Sequence, residues 1–324
     1  MALLEVEDLR IAFGSSTVVD GVSFHVDESQ VVSLVGESGC GKSVTSLAIM
    51  GLLPKLRKSG RGGGAAVSGR AVFDGVDLFG LSADQMRRRR GADLAMVFQD
   101  PLSSLNPVVP IGRQITEVLE RHRGLRGEAA RKEAENLLDR VGIPDPRRRL
   151  GEYPHQLSGG MRQRVLIAIA VACAPRLLIA DEPTTALDVT IQAQILELLK
   201  DLVDAEGTAL LMITHDLGVV AGMCNVVNVL YSGRVVESSS ASRLFAEPTH
   251  PYTVGLLGSI PRLDLPIHEP LKPIRGSIAD VIRWGDGCAF APRCDLVGAE
   301  CVAGEPMLKG EAHAHRCVKA EEIA

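Results

Sequence analysis

Residues 31–48 read VVSLVGESGCGKSVTSLA, and this stretch decides the fold. The apolar run Val31–Val35 predicts a buried strand, and the segment from about Lys42 to Leu52, which stops before Pro54, has the pattern of a helix. Between them, residues 36–43 fit G-x-x-x-x-G-K-[ST], the pattern of a phosphate-binding loop, in the strand–loop–helix context that such a loop requires. The stretch therefore predicts a site for a nucleoside triphosphate rather than an ordinary glycine-rich turn.

The chemistry of this loop follows from its residue types. Glycines let backbone N–H groups approach an anion, and the start of a helix adds further unpaired N–H groups. Lys42 can reach the β- and γ-phosphates, and the Ser43 hydroxyl can hold Mg²⁺. The residues predicted to contact the nucleotide here are Gly36, Ser38, Gly39, Cys40, Gly41, Lys42, Ser43 and Val44.

Composition limits the classes of function. The 324 residues carry a formal net charge of −5, which argues against general nucleic-acid binding because that activity needs a basic surface. The arginine runs at 87–90 and 147–149 lack interleaved aromatic residues and indicate solvated faces. No apolar run approaches the ~18 residues of a membrane span. The first residues also lack the basic segment followed by an apolar segment that forms a secretory signal. We therefore expect a cytoplasmic protein unless a partner holds it at a membrane.

The remaining pattern predicts an α/β protein. Residues 3–13 and 22–26 have the character of strands in an outer antiparallel sheet, and residues 55–69 that of a mobile surface loop. The mostly helical stretch at about 102–172 predicts a helical subdomain inserted between strands of the core. A second buried strand, 177–182, then ends in two carboxylates.

The motif LSGGMRQR at 157–164 resembles the signature motif of the ATP-binding-cassette (ABC) ATPases, and Asp181-Glu182-Pro183 follows at the interval expected in that family. The matching motifs cover residues 1 to about 240. The resemblance implies a P-loop NTPase (RecA-like) core and an ABC ATPase domain over 1–261. The tail over 262–324 is Pro-rich and Cys-bearing, and we expect it to be irregular.

The resemblance also implies roles for single residues. Glu182 matches the general base, and Asp181 matches a Mg²⁺-binding carboxylate. Gln99 matches the glutamine that touches Mg²⁺ or the attacking water, and His215 matches the histidine that contacts the γ-phosphate. Phe13 fits plain core or a ring stacked on adenine, and the family pattern favours stacking.

A further set of residues serves the second subunit of a dimer in this family. Ser158 and Gly160 match residues that contact ATP held by the opposite subunit, so one chain does not complete a site alone. The rest of this set is Gly159 and Asp188, the latter in the loop that links the two sites of a dimer.

Three more segments, DPLSSLNP at 100–107, YPHQ at 153–156 and THPYT at 249–253, resemble the ATPases of bacterial oligopeptide and dipeptide importers. This implies two permease subunits, a second identical or related ATPase, and an external solute-binding protein as an indirect partner. We then expect a peripheral position on the cytoplasmic face of the inner membrane.

Other functions stay open at this point. An importer of nickel or another small solute would carry the same motifs. A soluble ABC ATPase acting on ribosomes or DNA is disfavoured, because the chain has one cassette and only 113 residues separate Ser43 from Leu157. A redox- or iron-sensing regulator that only binds ATP is disfavoured by the intact Glu182 and His215.

The tail holds four cysteines, Cys288, Cys294, Cys301 and Cys317, with the spacing C-x5-C-x6-C-x15-C. Some members of the resembling group carry an iron–sulfur cluster there, and four thiolates suit a [4Fe–4S] cluster. Zinc is the alternative, with His313 or His315 replacing one ligand, and free thiols are the third interpretation. We expect any bound group to act as a structural clamp without a catalytic role.

Overall fold

The computed structural model describes residues 2–54, 64–185, 187–260, 274–277 and 286–323. Strands and helices alternate through most of these ranges. The strands are β1 (Ala2–Phe13), β2 (Ser16–Asp27), β3 (Val31–Val35), β4 (Ala65–Phe73), β5 (Val76–Asp77), β6 (Leu94–Val97), β7 (Leu177–Asp181), β8 (Ala209–Thr214), β9 (Val226–Tyr231), β10 (Arg234–Ser240) and β11 (His313–His315). The helices are α1 (Lys42–Ile49), α2 (Ala83–Arg89), α3 (Pro101–Ser104), α4 (Ile111–His122), α5 (Gly127–Arg140), α6 (Pro146–Arg149), α7 (Gly159–Val171), α8 (Val189–Glu206), α9 (Leu217–Met223), α10 (Ala241–Ala246) and α11 (Pro251–Gly258).

The chain divides into two compact units. The phosphate-loop unit consists of the described residues of 4–25, 31–72 and 213–324. The signature unit consists of the described residues of 1–3, 26–30 and 73–212. No helix within the described ranges is long and apolar enough to cross a membrane.

Two sets of strands build the phosphate-loop unit. One set has the order β2-β1-β4, and the other has the order β11-β10-β9-β3. In the second set β3 is parallel to β9, whereas β10 is antiparallel to both of its neighbours, β9 and β11. All five residues of β3 are buried, which is usual for an inner strand covered on both faces and explains its continuous apolar sequence.

The signature unit combines parallel strands with an inserted group of helices. β6 and β7 pair in parallel, and β7 lies between β6 and β8. Helices α3 to α7 occupy the chain between β6 and β7, which confirms the helical insertion expected at about 102–172. α4 buries Ile111, Ile115 and Leu119, a spacing of four residues that places all three on one helix face.

The structure corrects the expected elements at several points. β4 begins at Ala65, so the predicted surface loop is wrong over 65–69, while residues 55–63 lie outside the described residues. α1 ends at Ile49 rather than Leu52, because the N–H groups of Gly51 and Leu52 turn back to the carbonyls of Ala48 and Leu47. The tail, expected to be irregular, contributes β11 to the edge of β10.

Candidate nucleotide site

The loop between β3 and α1 has the backbone that its sequence predicts. Gly36 has φ 149°, and a Cβ there would lie 2.3 Å from the Leu230 carbonyl oxygen, so only glycine fits. Gly41 has φ 103° and immediately precedes α1. The Thr45 hydroxyl donates to the Gly41 carbonyl oxygen at 2.9 Å and fixes the first turn of the helix. The loop therefore presents the N-terminus of α1 as an anion-binding surface.

Lys42 is held inside this loop. Its side chain is 4% exposed, and Nζ donates to the carbonyl oxygens of Gly36 at 2.7 Å and Glu37 at 3.0 Å. Ser43 follows in the first turn of α1. The ammonium thus lies over the loop that would surround the phosphates, the position that a phosphate-binding lysine needs.

Two further predicted residues belong to the phosphate-loop unit. Phe13 is the last residue of β1 and is half-buried, so its ring is neither enclosed in the core nor fully solvated. His215 directly follows β8 and is exposed, and the next residue, Asp216, caps α9 by accepting from the Gly218 N–H at 2.8 Å. Each lies at the end of a strand, where a ligand-contacting side chain is commonly placed in α/β folds.

The signature unit brings Gln99 and Glu182 together. These residues follow the neighbouring parallel strands β6 and β7, and Gln99 Nε2 donates to Glu182 Oε2 at 2.7 Å. Thr185, which sequence reasoning does not single out, also donates its hydroxyl to Glu182 Oε2 at 2.8 Å. Glu182 has φ 46°, a left-handed conformation that is costly for a non-glycine residue and that clusters at functional sites.

Asp181 ends β7 beside this pair and is 5% exposed. A buried carboxylate, an amide oxygen and a serine hydroxyl are oxygen ligands of the kind that Mg²⁺ prefers. The residue types predicted for the metal, Asp181, Gln99 and Ser43, therefore fit Mg²⁺ chemically. Asp181 and Gln99 lie in the signature unit, and Ser43 lies in the phosphate-loop unit.

The signature motif forms the start of α7. Ser158 is the N-cap, and its hydroxyl accepts a hydrogen bond from the Met161 N–H at 3.3 Å. A Cβ on Gly160 would lie 2.7 Å from Ile191 Cγ2, so α7 and α8 approach too closely for any other residue there. Asp188 is the N-cap of α8 and accepts from the Ile191 N–H at 3.0 Å. Ser158, Gly160 and Asp188 thus lie at two adjoining helix N-termini.

The four tail cysteines share one cavity, which is also lined by His250. Burial raises the pKa of Cys288 and Cys317 to about 11, so both are thiols at neutral pH. His250 is 1% exposed; its Nδ1 accepts from the Tyr252 N–H, and its Nε2 is buried without a hydrogen-bond partner. A buried N–H donor without a partner, on a residue that lines the same cavity as four cysteines, is compatible with an acceptor group bound in that cavity.

Among the described residues, the tail cysteines do not form a site for a single metal ion. Across the described ranges, no three His, Cys, Asp or Glu side chains make a group that could hold one. The predicted zinc alternative is not supported either. His313 Nε2 lies 2.7 Å from Glu237 Oε1, and among the described residues neither His313 nor His315 lines the cysteine cavity.

Comparison with known proteins decides the family. Residues 19–185 match the family model described as ABC transporter. The chain belongs to the ABC transporter family. Residues 236–301 also match the C-terminal region of oligopeptide/dipeptide transporters. The chain is accordingly an ATPase coupled to transport.

The similarity to ABC transport proteins extends over nearly the whole chain. It is 48% identical to the dipeptide transport ATP-binding protein DppD of Bacillus subtilis, over 97% of this chain and 94% of the relative. It is 50% identical to the oligopeptide transport ATP-binding protein OppD of the same organism, over 90% and 81%. A solved ATP-binding cassette, MJ0796, in a dimeric post-hydrolysis state with ADP and Pi, is 28% identical with a TM-score of 0.63, over 74% of this chain and 98% of that one.

Proposed function

We propose that this chain is the ATP-hydrolysing subunit of a bacterial importer of dipeptides or oligopeptides. The observation that carries the proposal is the C-terminal region at 236–301, which joins an ABC cassette to the tail described for oligopeptide and dipeptide transporters. The names of the B. subtilis relatives point to the same class of cargo. The ATPase would drive two permeases, and an external solute-binding protein would deliver the peptide to them.

We propose that ATP is bound by residues named above from each unit. Phe13 stacks on adenine, the loop at 36–43 and the start of α1 surround the phosphates, and His215 contacts the γ-phosphate. Ser43, Asp181 and Gln99 would hold Mg²⁺, which would neutralise charge on the phosphates. Support comes from the backbone of the loop and from the burial of Lys42 and Asp181.

Glu182 then acts as the general base. It accepts a hydrogen bond from the attacking water and takes its proton as the γ-phosphoryl group leaves. The donors Gln99 and Thr185 hold the carboxylate in one orientation, so the proton acceptor needs no rearrangement during the reaction.

We propose further that two ATPase subunits, identical or related, close around ATP. Ser158, Gly159 and Gly160 of one subunit would complete the site of the other, with Asp188 joining the two sites. The exposed N-terminus of α7 and the dimeric state of the similar cassette support this arrangement.

The surface around residues 99–106 is our candidate for permease contact, which would place the subunit on the cytoplasmic face of the inner membrane. Leu102 is 62% exposed and nearby Val108 is 78% exposed, an apolar surface that a partner helix could cover. Closure of the ATPase dimer would be passed to the permeases through this surface.

The cysteine cavity is proposed to hold a [4Fe–4S] cluster as a structural clamp on the tail. Such a cluster binds a thiolate at each of four iron atoms, so its ligands stand farther apart than those of one ion. Four thiols around one cavity and the unpaired Nε2 of His250 support this proposal. Anaerobic purification followed by iron, sulfide and zinc analysis tests it; zinc without iron would overturn it.

Isolation of the chain from its native membranes in mild detergent, followed by mass spectrometry, tests the transport proposal. We expect two polytopic permeases, with or without a second ABC ATPase. Uptake by the reconstituted assembly, measured with labelled dipeptides, longer peptides and Ni²⁺, then separates the classes of cargo. Recovery with ribosomal or DNA-associated proteins, or uptake of Ni²⁺ alone, would contradict the peptide-importer proposal.

A further inference from the structure

Glu37, the second residue of the phosphate-binding loop, is held by an arginine of the C-terminal tail. Arg293 Nη1 donates to Glu37 Oε2 at 2.7 Å, and Nη2 donates to Glu37 Oε1 at 3.0 Å. Arg293 is 3% exposed, so this is a two-bond ion pair shielded from solvent on the arginine side. Such forked pairs fix direction as well as distance, because the planar guanidinium matches the carboxylate.

The backbone of Glu37 is held from the same region. The Glu37 N–H donates to the Tyr252 hydroxyl at 2.8 Å, and Tyr252 is completely buried. The Glu37 carbonyl oxygen in turn accepts from Lys42 Nζ at 3.0 Å. One residue thus connects the C-terminal region to the lysine that is proposed to bind the phosphates.

Arg293 and Tyr252 are themselves firmly supported. Tyr231, Tyr252 and Phe290 form a buried aromatic cluster with ring centroids 4.7 to 5.4 Å apart. The Arg293 guanidinium lies over Tyr231 and Phe290, at 5.8 and 5.9 Å from their centroids. Its Nε also donates to the Arg275 carbonyl oxygen at 3.0 Å. The two groups that contact Glu37 therefore have little freedom to move.

We propose that Arg293 and Tyr252 are positioning residues that hold the phosphate-binding loop in its nucleotide-competent conformation and so set the affinity for ATP. A glycine-rich loop loses much backbone entropy when it orders around a ligand, and a loop already held in place loses less on binding. Because the loop contacts ground state and transition state alike, the effect is on binding rather than on turnover. This inference rests on the proposed ATP site.

The positioning role is tested by measuring the Kd of the full chain for a fluorescent ATP analogue and for ADP. Arg293→Met leaves the Glu37 carboxylate without its partner, and we expect the Kd to rise about tenfold. Tyr252→Phe removes only the acceptor of the Glu37 N–H, and we expect a rise of about threefold. In the assembled transporter the KM for ATP should rise while kcat stays unchanged. Arg243→Met is the matched control, since Arg243 is half-exposed on α10 and forms its ion pair with Glu247 of the following turn.

A double variant separates positioning from a general loss of structure. If Arg293 acts through Glu37, then Glu37→Gln combined with Arg293→Met should weaken ATP binding no more than the stronger single change. Arg293→Lys should restore part of the affinity. Additive effects, or a lowered Tm with an unchanged Kd, would show that Arg293 only stabilises the tail.

Lys42→Ala distinguishes failure of this inference from failure of the proposed site. If Lys42→Ala leaves nucleotide binding intact, the proposed ATP site is wrong. If Lys42→Ala abolishes binding while Arg293→Met and Tyr252→Phe behave like Arg243→Met, the site stands and the positioning role is wrong.

Discussion

Gln99 Nε2 donates a 2.7 Å hydrogen bond to Glu182 Oε2 and so links the second residue after β6 to the first residue after β7. The surface around residues 99–106, which includes Gln99, is the proposed permease contact. A displacement of that surface would therefore reach the proposed general base through one hydrogen bond. If both proposals hold, this hydrogen bond connects the permease contact with the chemistry of ATP.

Glu182→Gln should abolish most ATP hydrolysis while preserving ATP binding. The amide cannot take a proton from water, and loss of general-base catalysis costs at least about 100-fold in rate. Turnover and retained nucleotide are both measured on the purified transporter. Glu197→Gln, on the exposed face of α8, is the control. Near-normal turnover in Glu182→Gln would remove this residue from the proposed role.

Gly160→Ala should destabilise the signature unit, because the new Cβ would meet Ile191 Cγ2 at 2.7 Å. Overpacking of this kind costs about 1–3 kcal/mol, measured by urea unfolding. Gly159→Ala is the matched control, since its Cβ would lie at an ordinary 3.7 Å from Leu187 Cδ2. Ile191→Ala combined with Gly160→Ala should recover part of the loss, and no recovery would show that the close approach is not the cause.

His250 should make the phosphate-loop unit less stable in mild acid. Burial lowers its pKa from 6.5 to about 3, so the folded protein keeps the ring neutral while the unfolded chain takes up a proton. The free energy of unfolding therefore keeps its full value above about pH 6.5 and decreases as the pH falls towards 3. At pH 5 the loss is about 2 kcal/mol.

Urea unfolding at pH 7 and pH 5 measures this effect. His250→Asn is the comparison, because its Oδ1 can cap α11 as the histidine Nδ1 does, yet it does not titrate. The wild-type protein should lose more stability than the variant between the two pH values. Equal losses would mean that His250 is charged in the folded state.

Cys288 and Cys317 should react slowly with iodoacetamide in protein that lacks any bound group. Their pKa of about 11, against an ordinary 9.0, lowers the thiolate fraction at pH 8 about 100-fold. Labelling followed by peptide mass spectrometry should show a rate that rises with pH up to about 11. The same cysteines in urea-unfolded protein are the reference, and equal rates at pH 8 would contradict the raised pKa. Protein with a cluster in place should resist labelling at every pH.

Much of the site was predictable because its parts are contiguous in sequence. The strand, loop and helix around Lys42 are dictated by neighbours within a few residues, and so are the strand ends that carry Gln99 and Asp181. Residues joined only by the tertiary fold leave no such pattern. Nothing near Glu37 in sequence indicates that Arg293 and Tyr252 bind it, and nothing near Glu182 indicates Thr185.

The C-terminal tail was the least predictable part for the same reason. β11 is only three residues long, too short for any alternation of apolar and polar residues to show. The sequence allows His313 as a metal ligand because histidine often binds zinc, but in the structure it is buried beside Glu237 and its Nε2 lies within hydrogen-bond distance of that carboxylate. The residue type alone does not distinguish a metal-binding histidine from one that forms a hydrogen bond.

The pairing of β11 with β10 also bears on how the protein is made. On the ribosome β10 emerges long before β11, so its outer edge stays open while the intervening chain is synthesised. An open edge can pair with another chain, which makes this interval the period of greatest risk of misassembly. A ribosome that stalls before His313 would release a product with a complete phosphate-binding loop and an unprotected sheet edge.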